Sequence, residues 1–277
     1  MDGWDMNRFL AASNKLDLDG VDFDAVARHR LRADEVRCLT YMMDIETHTV
    51  LYLRDLLSTP AVYDPDVTAF LSLWVYEEFW HGEALGRFLR AAGHARRSAR
   101  TTAIRRASDR SGLARAFKGV AAKLLPEFVA VHMTWGAVNE LSTLTGYQRV
   151  IARTDHPILV ELLRRIIKDE RRHYAFYAAQ ARARLAASER ARRVVRWALE
   201  TFWQPVGTGV RPQRETDFVI ATLFCGDDGA RAAASIEQTL AALPGLAGLR
   251  IVREARARAL RRIAPRGRSA IPIAAHV

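Results

Sequence analysis

One short pattern occurs twice in the sequence: a glutamate followed three residues later by a histidine. The two copies are Glu78–His81 and Glu170–His173. Residues three apart lie on the same face of an α-helix, so each copy directs a carboxylate and an imidazole at one point. A further glutamate lies on the predicted helix before each copy, Glu46 before the first and Glu140 before the second. The chain is therefore predicted to contain two similar halves, each built from two helices.

The two halves together offer four carboxylates and two imidazoles. Glu46 follows Ile45 and Glu140 precedes Leu141, so apolar residues surround both carboxylates. Carboxylates that converge in such an interior repel one another, and their burial is costly unless cations neutralise them. This donor set is typical of bundles that bind two iron or two manganese ions, and we expect iron, with manganese as the alternative. The predicted metal ligands are Glu46, Glu78, His81, Glu140, Glu170 and His173.

Helical periodicity recurs from Leu31 onward, and no segment alternates between apolar and polar residues in the manner of a strand. Pro60 favours the end of one helix, and Pro65 suits the first turn of the next. Four long helices are predicted at about 30–58, 65–92, 126–153 and 157–186. A long connection between the second and third helices is the plan of ferritin-like proteins. The predicted fold is all-α, a ferritin-like four-helix bundle with additional C-terminal helices.

Changes in composition divide the chain into four parts. The segment 94–112 is rich in Arg, Ser and Thr and is predicted to be an exposed crossover, followed by a short helix at about 113–124. Beyond residue 188 the pattern indicates shorter helices separated by glycines and prolines. The predicted parts are an N-terminal arm at 1–25, the bundle at 26–187, accessory helices at 188–263 and a tail at 264–277.

The composition also limits the compartment and the cofactors. Only two cysteines are present, Cys38 and Cys225, which excludes a disulfide framework and an iron–sulfur cluster with four cysteine ligands from this chain. The first ten residues carry charges and lack the apolar stretch of a signal peptide. Residues 128–148 are poorest in charge, but Glu140 interrupts them, which favours a core helix over a membrane span. We therefore expect a cytoplasmic protein without a membrane partner.

The net charge of +11 suits an acidic partner. Nucleic acid, an anionic membrane surface and an acidic protein all fit such a charge, and composition alone does not choose among them. The metal-ligand pattern is the more specific signal. We therefore expect an acidic protein partner and do not expect nucleic acid.

Four further residues near the motifs are predicted to lie outside the metal centre. Helix phase turns Asp44 and Glu77 away from the ligands, and both are expected to be surface carboxylates. His132 is two turns from Glu140, about 12 Å along a helix, and is predicted to be a core or cavity histidine. His156 falls near a predicted helix end and is expected on the surface.

The residues around the motifs resemble those of the soluble acyl-carrier-protein desaturases. The segment Trp74–Gly82 reads WVYEEFWHG and is similar to the W-x-x-E-E-x-x-H-G of that family. Asp169–His173 reads DERRH and is similar to its D-E-x-R-H, and Asn139–Thr143 resembles its third-helix segment. The resemblance covers about residues 35–185 and is strongest around the predicted ligands.

This resemblance implies an oxygen-dependent di-iron enzyme that inserts a cis double bond into a fatty acyl chain carried on acyl carrier protein. It implies that Thr143 handles protons or oxygen beside the metals. The alternative for Thr143 is a hydroxyl that bonds back to its own helical turn. It also implies that Asp169 hydrogen-bonds to a ligand histidine and orients the imidazole.

The resemblance further implies a homodimer and, as partner, acyl carrier protein or another acyl-thioester carrier. Electrons are expected from a separate ferredoxin-type protein, because the chain has no nucleotide-binding fingerprint and too few cysteines for a cluster. One alternative is a di-iron N-oxygenase or other specialised-metabolism oxidase. Another is a non-enzymatic ferritin-like iron-binding or stress protein. A long apolar channel beside the metals would favour the desaturase, and a closed site would favour the iron-binding protein.

Overall fold

A computed structural model describes residues 5–57, 59–94 and 126–264. These residues form ten α-helices and no β-strand, which confirms the all-α prediction. The helices are α1 Met6–Ala12, α2 Ala33–Glu46, α3 Thr49–Leu56, α4 Pro65–Ala91, α5 Phe128–Ile151, α6 Pro157–Ala187, α7 Glu189–Phe202, α8 Gln213–Leu223, α9 Gly226–Leu240 and α10 Ile251–Ile263. None of them combines the length and the apolar character needed to cross a membrane. Nearly all of the predicted crossover and tail, and the whole of the predicted short helix at about 113–124, lie outside the described residues.

The helices α2, α4, α5 and α6 form the bundle. α4 begins where the Asp64 side chain accepts a hydrogen bond from the Val67 N–H, with Pro65 in the first turn. α6 begins in the same way, because the His156 ring accepts a hydrogen bond from the Leu159 N–H. The predicted starts at the two prolines are therefore observed.

The first predicted helix is interrupted. Instead of one helix at 30–58, α2 ends at Glu46 and α3 begins at Thr49. The Thr47 hydroxyl donates to Met43 O at 2.9 Å, and the Thr49 hydroxyl donates to Glu46 O at 2.5 Å. Such bonds compete with the regular helical ladder and bend helices. The interruption places Glu46 at the last position of α2, against the bundle interior.

The N-terminal arm packs on the bundle through α1. The ring of Phe9 is buried, with its centroid 5.1 Å from that of Phe70 and 6.4 Å from that of Phe176. Phe70 and Phe176 stack on each other across α4 and α6 at 3.7 Å. Arg172 on α6 donates to Ala12 O at 2.7 Å, which ties the end of α1 to the same face. The arm therefore covers the side of the bundle where α4 and α6 meet.

The accessory helices α7 to α10 cover a different side, formed by α2 and α5. Arg37 on α2 binds Glu215 on α8 through two hydrogen bonds of 2.9 and 3.1 Å. The Tyr41 hydroxyl donates to Val206 O at 2.6 Å. Gly207 adopts a φ of +87°, and a Cβ there would lie 2.1 Å from the Tyr41 hydroxyl oxygen. Only glycine therefore lets the chain between α7 and α8 close over α2.

Candidate metal centre

The six predicted ligands meet in the interior of the bundle. All six side chains are buried, and their donor atoms form two groups in which every atom lies within 4.8 Å of the others. The first group consists of Glu46, Glu78, His81 and Glu170, and the second of Glu78, Glu140, Glu170 and His173. Each group takes ligands from both halves of the chain. Two carboxylates, from α4 and α6, belong to both groups.

The two imidazoles point the same ring nitrogen at the cluster. His81 Nδ1 lies 3.3 Å from Glu170 Oε1. His173 Nδ1 lies 3.1 Å from Glu78 Oε1 and 3.6 Å from Glu140 Oε2. The two rings are 5.8 Å apart between centroids. The centre is therefore a compact set of nitrogen and carboxylate oxygen atoms.

Several of these atoms have no hydrogen-bond partner among the described residues. They are Nδ1 of His81, Nδ1 of His173 and both carboxylate oxygens of Glu170. Buried polar atoms are nearly always satisfied, so a set of orphaned donor atoms at one point calls for a bound species. Carboxylate oxygens and imidazole nitrogens are ligands for divalent cations. The residues present therefore fit a metal ion.

The electrostatics of the carboxylates lead to the same conclusion. Burial and the charge of Glu170 raise the pKa of Glu78 to about 7. Burial is also the main reason that the pKa of Glu140 rises to about 8 and that of Glu46 rises well above its usual range. Glu170 is the exception: contacts with His173 and His81 outweigh its burial and lower its pKa to about 2. Carboxylates with a raised pKa hold their protons more readily, and a divalent ion would replace those protons.

Each imidazole is held on its outer side by an acidic residue from the opposite helix. His81 Nε2 lies 3.2 Å from Asp169 Oδ2, and His173 Nε2 lies 2.7 Å from Glu77 Oε2. A carboxylate only accepts hydrogen bonds, so Nε2 carries the proton in both rings and Nδ1 is left to face the cluster. Arg172 joins the two carboxylates, at 2.6 Å from Glu77 and 2.7 Å from Asp169. The imidazoles are thus fixed by one cross-linked network.

The surface position predicted for Glu77 is wrong. Its side chain is fully buried. It points away from the cluster, but α6 lies on that side and covers it. Asp169, in contrast, contacts His81 as the resemblance implied. The sequence does hold a signal for Glu77, since an acidic residue directly precedes the ligand glutamate in both copies of the motif.

Replacing Glu77 with glutamine is expected to weaken metal binding by about 10- to 100-fold, the usual effect of losing a partner that orients a ligand histidine. His173 loses a charged acceptor and Arg172 loses one of its two carboxylates. Anaerobic calorimetric titration with Fe²⁺ measures the change. Glu161→Gln is the matched control, because the Glu161 side chain is 46% exposed and pairs with Arg165 on the surface of α6. Equal affinities in the two variants would contradict the assigned role.

Three other predictions can be compared with the structure. Asp44 is not a surface carboxylate: it is buried, 3.5 Å from Arg211 of the segment before α8. His156 is not a surface residue either, because it is buried as the cap of α6, with Nε2 3.2 Å from Val26 O. His132 is buried outside the cluster as predicted, and burial lowers its pKa to about 3.

Two features hold Glu46 in place at the end of α2. The Tyr147 hydroxyl on α5 donates a short hydrogen bond to Glu46 Oε1. Gly82, directly after His81, faces this helix end: a Cβ at Gly82 would lie 2.4 Å from Thr47 Cγ2 and 3.3 Å from Glu46 Cβ. The glycine that ends the first motif is therefore needed for α2 and α4 to approach each other at the ligand.

An apolar cavity of about 110 Å³ adjoins the cluster. Its walls come from α2, α5, α8, α9, α10 and the segment that begins at Trp203, so the accessory helices form much of its lining. Glu46 lies in its wall, which makes one metal-centre residue accessible from the cavity. Trp203 also donates to Asn139 at 3.1 Å, next to the ligand Glu140. The cavity and the metal centre therefore share one boundary.

Thr143 lies in the same wall as Glu46. The hydroxyls of its neighbours bond back to their own helix, Ser142 to Val138 O and Thr145 to Leu141 O, both at 2.7 Å. No such bond is formed by Thr143 with any residue that the structure describes. The alternative predicted for it, a hydroxyl that bonds back to its own turn, is therefore not observed.

Comparison with known proteins adds no family assignment. The chain matches no protein-family model, and no curated protein is significantly similar to it in sequence. What the structure shows is a buried cluster of glutamates and histidines that can bind a metal ion, in an all-helical bundle.

Proposed function

We propose that this protein is a di-iron oxidase that uses oxygen to oxidise an apolar substrate held in the cavity. The observation that carries the proposal is that Glu46 belongs both to the metal cluster and to the cavity wall. A protein that only stores or detoxifies iron has no need of an apolar cavity at a metal ligand. The cavity therefore supports an oxidase over the non-enzymatic iron-binding alternative.

The two ligand groups would hold one ion each, with Glu78 and Glu170 shared between them. Mixed carboxylate and imidazole ligands suit iron and manganese, and the resemblance to desaturases favours iron. When bound in its reduced state, the iron pair supplies the electrons that activate oxygen.

The protein's own contribution is to position the substrate and to exclude water. Apolar walls from two bundle helices and three accessory helices bind an apolar group next to Glu46. Thr143 lines the same space, and its hydroxyl would hold or pass a proton beside the substrate. Tyr147 fixes the Glu46 carboxylate from the opposite side.

Desaturation of a fatty acyl chain is the first reaction to test, because the motifs resemble those of the acyl-carrier-protein desaturases. N-oxygenation, or oxidation of another tethered or free substrate, would use the same ligands and is the second candidate. The electron donor that we propose is an acidic ferredoxin-type protein, which the net charge of +11 supports. A homodimer is proposed on the resemblance alone.

Metal analysis of the purified protein tests this proposal. About two irons per chain are expected, together with an optical absorption that changes when the anaerobically reduced protein meets oxygen. Glu140→Ala is the control, because it removes a ligand of one group only and should abolish the oxygen response. Metal content near zero in the unmodified protein would contradict the proposal.

A further inference from the structure

Two arginines lie on the turn that follows α8, at the edge of the cavity. Arg149 on α5 donates from Nε to Leu223 O at 2.9 Å. Arg256 on α10, which itself lines the cavity, donates from Nε to Phe224 O at 2.7 Å and from Nη2 to Gly226 O at 3.0 Å. These bonds fix both guanidinium groups at the C-terminal end of α8, where cations interact favourably with helix carbonyls.

The hydrogen bonds to the end of α8 use only some of the N–H donors of each guanidinium group. A guanidinium has five N–H donors, of which Arg256 uses two and Arg149 uses one. Neither forms an ion pair with a carboxylate of the described ranges. A third cation, Arg153, contacts Cys225 on the same turn and approaches Asp34 only at 3.8 Å. The turn therefore carries positive charge and unused donors that suit a bidentate anion.

The rest of the cavity is apolar and leads from this turn to the metal centre. Arg149 is six residues beyond Thr143 on α5, about 9 Å along the helix axis. Gly146 lines the cavity between them and leaves room where any side chain would narrow it. The cavity thus has a cationic end, an apolar middle and an end at Glu46 and Thr143.

We propose that the cavity is a binding site for a free carboxylic acid, with the carboxylate held by Arg256, the positive charge of Arg149 on the same turn, and the apolar chain directed toward Glu46. As a substrate assignment this inference rests on the proposed oxidase function. As a binding site it does not, because neither arginine belongs to a group of metal ligands.

The position of Arg256 distinguishes a free acid from an acyl group on a carrier. An acyl thioester carries no charge at its head, and the nearest phosphate is separated from it by the whole pantetheine arm. An anion bound by a side chain in the cavity wall must be directly attached to the apolar chain. The site therefore favours a compact amphiphile, which a carrier-linked acyl group is not.

Calorimetric titration of the protein with decanoate, decan-1-ol and decanoyl-CoA tests the site, with and without bound metal. Decanoate should bind about tenfold or more tightly than the alcohol, because a charge-assisted hydrogen bond at Arg256 is available only to the acid. Arg256→Gln should remove that preference, because the acid loses its charge-assisted hydrogen bond and the alcohol has no such bond to lose. Arg149→Gln, on a different helix, should weaken decanoate binding in the same direction.

Arg258→Gln is the matched control, because this arginine is on the same helix, pairs with Glu254 at 3.9 Å and does not line the cavity. Equal binding of acid and alcohol, or no effect of either glutamine variant, would overturn the proposal. So would decanoate binding that requires metal and ignores Arg256, or a clear preference for the CoA thioester. Decanoate binding that depends on Arg256 in a protein without oxygen reactivity would support the site and reject the oxidase.

Discussion

Alanine in place of Glu170 is expected to remove both metal ions, whereas alanine in place of Glu46 or Glu140 is expected to leave one. Glu170 belongs to both ligand groups, with Oε1 3.3 Å from His81 Nδ1 and Oε2 3.8 Å from His173 Nδ1. Glu46 and Glu140 each belong to a single group. Losing a shared ligand therefore reduces the donor set of both ions at once.

The measurement is the iron content per chain after anaerobic reconstitution and removal of excess metal. Circular dichroism of each variant checks that the helices are intact. The shared ligand Glu78 gives an independent test, because Glu78→Ala should behave like Glu170→Ala. Retention of full metal content in Glu170→Ala would show that the two groups do not act as one centre.

The predicted ligands could be found from the sequence because their geometry is local. A spacing of three residues fixes a common helix face, and the second copy shows that the first did not arise by chance. The residues that hydrogen-bond to the ligand histidines could not be predicted in this way. Glu77 contacts His173 of another helix, so helix phase alone predicts which way its side chain leaves α4 but not what lies there.

The cavity could not be predicted from the sequence, because its walls are far apart in the chain. Glu46 and Arg256 line the same space, although one lies in the bundle and the other in the last accessory helix. Periodicity shows that a helix has an apolar face but not which helix covers it. The role of the accessory helices emerges only from their packing on α2 and α5.

Some helix boundaries could likewise be predicted from the sequence, and others could not. Pro65 and Pro157 restrict their own backbone, and both helices start where the prolines predict. The interruption after Glu46 depends instead on hydroxyls of Thr47 and Thr49 that bond to carbonyls of the preceding turn. Threonine is also found within regular helices, so the residue type did not predict this break.

Alanine in place of Gly136 is expected to lower the free energy of unfolding by about 1–3 kcal/mol, the usual cost of overpacking a core. A Cβ at Gly136 would lie 2.2 Å from Cε1 of Tyr177, whose ring is fully buried. The ring cannot retreat, because Phe70 and Trp74 pack against it edge-on at 5.0 and 6.1 Å. This clash outweighs the gain of about 1 kcal/mol that alanine gives over glycine inside a helix.

Gly146→Ala is the matched control in the same helix. The nearest atom to a Cβ there is Met42 Cε at 3.5 Å, an ordinary contact with a flexible side chain. The control should therefore be neutral or more stable by up to about 1 kcal/mol, so that of the two variants only Gly136→Ala lowers the stability. Thermal unfolding of both variants beside the unmodified protein measures the difference, and shifts of the same sign and size would contradict the tight packing of Tyr177 against α5.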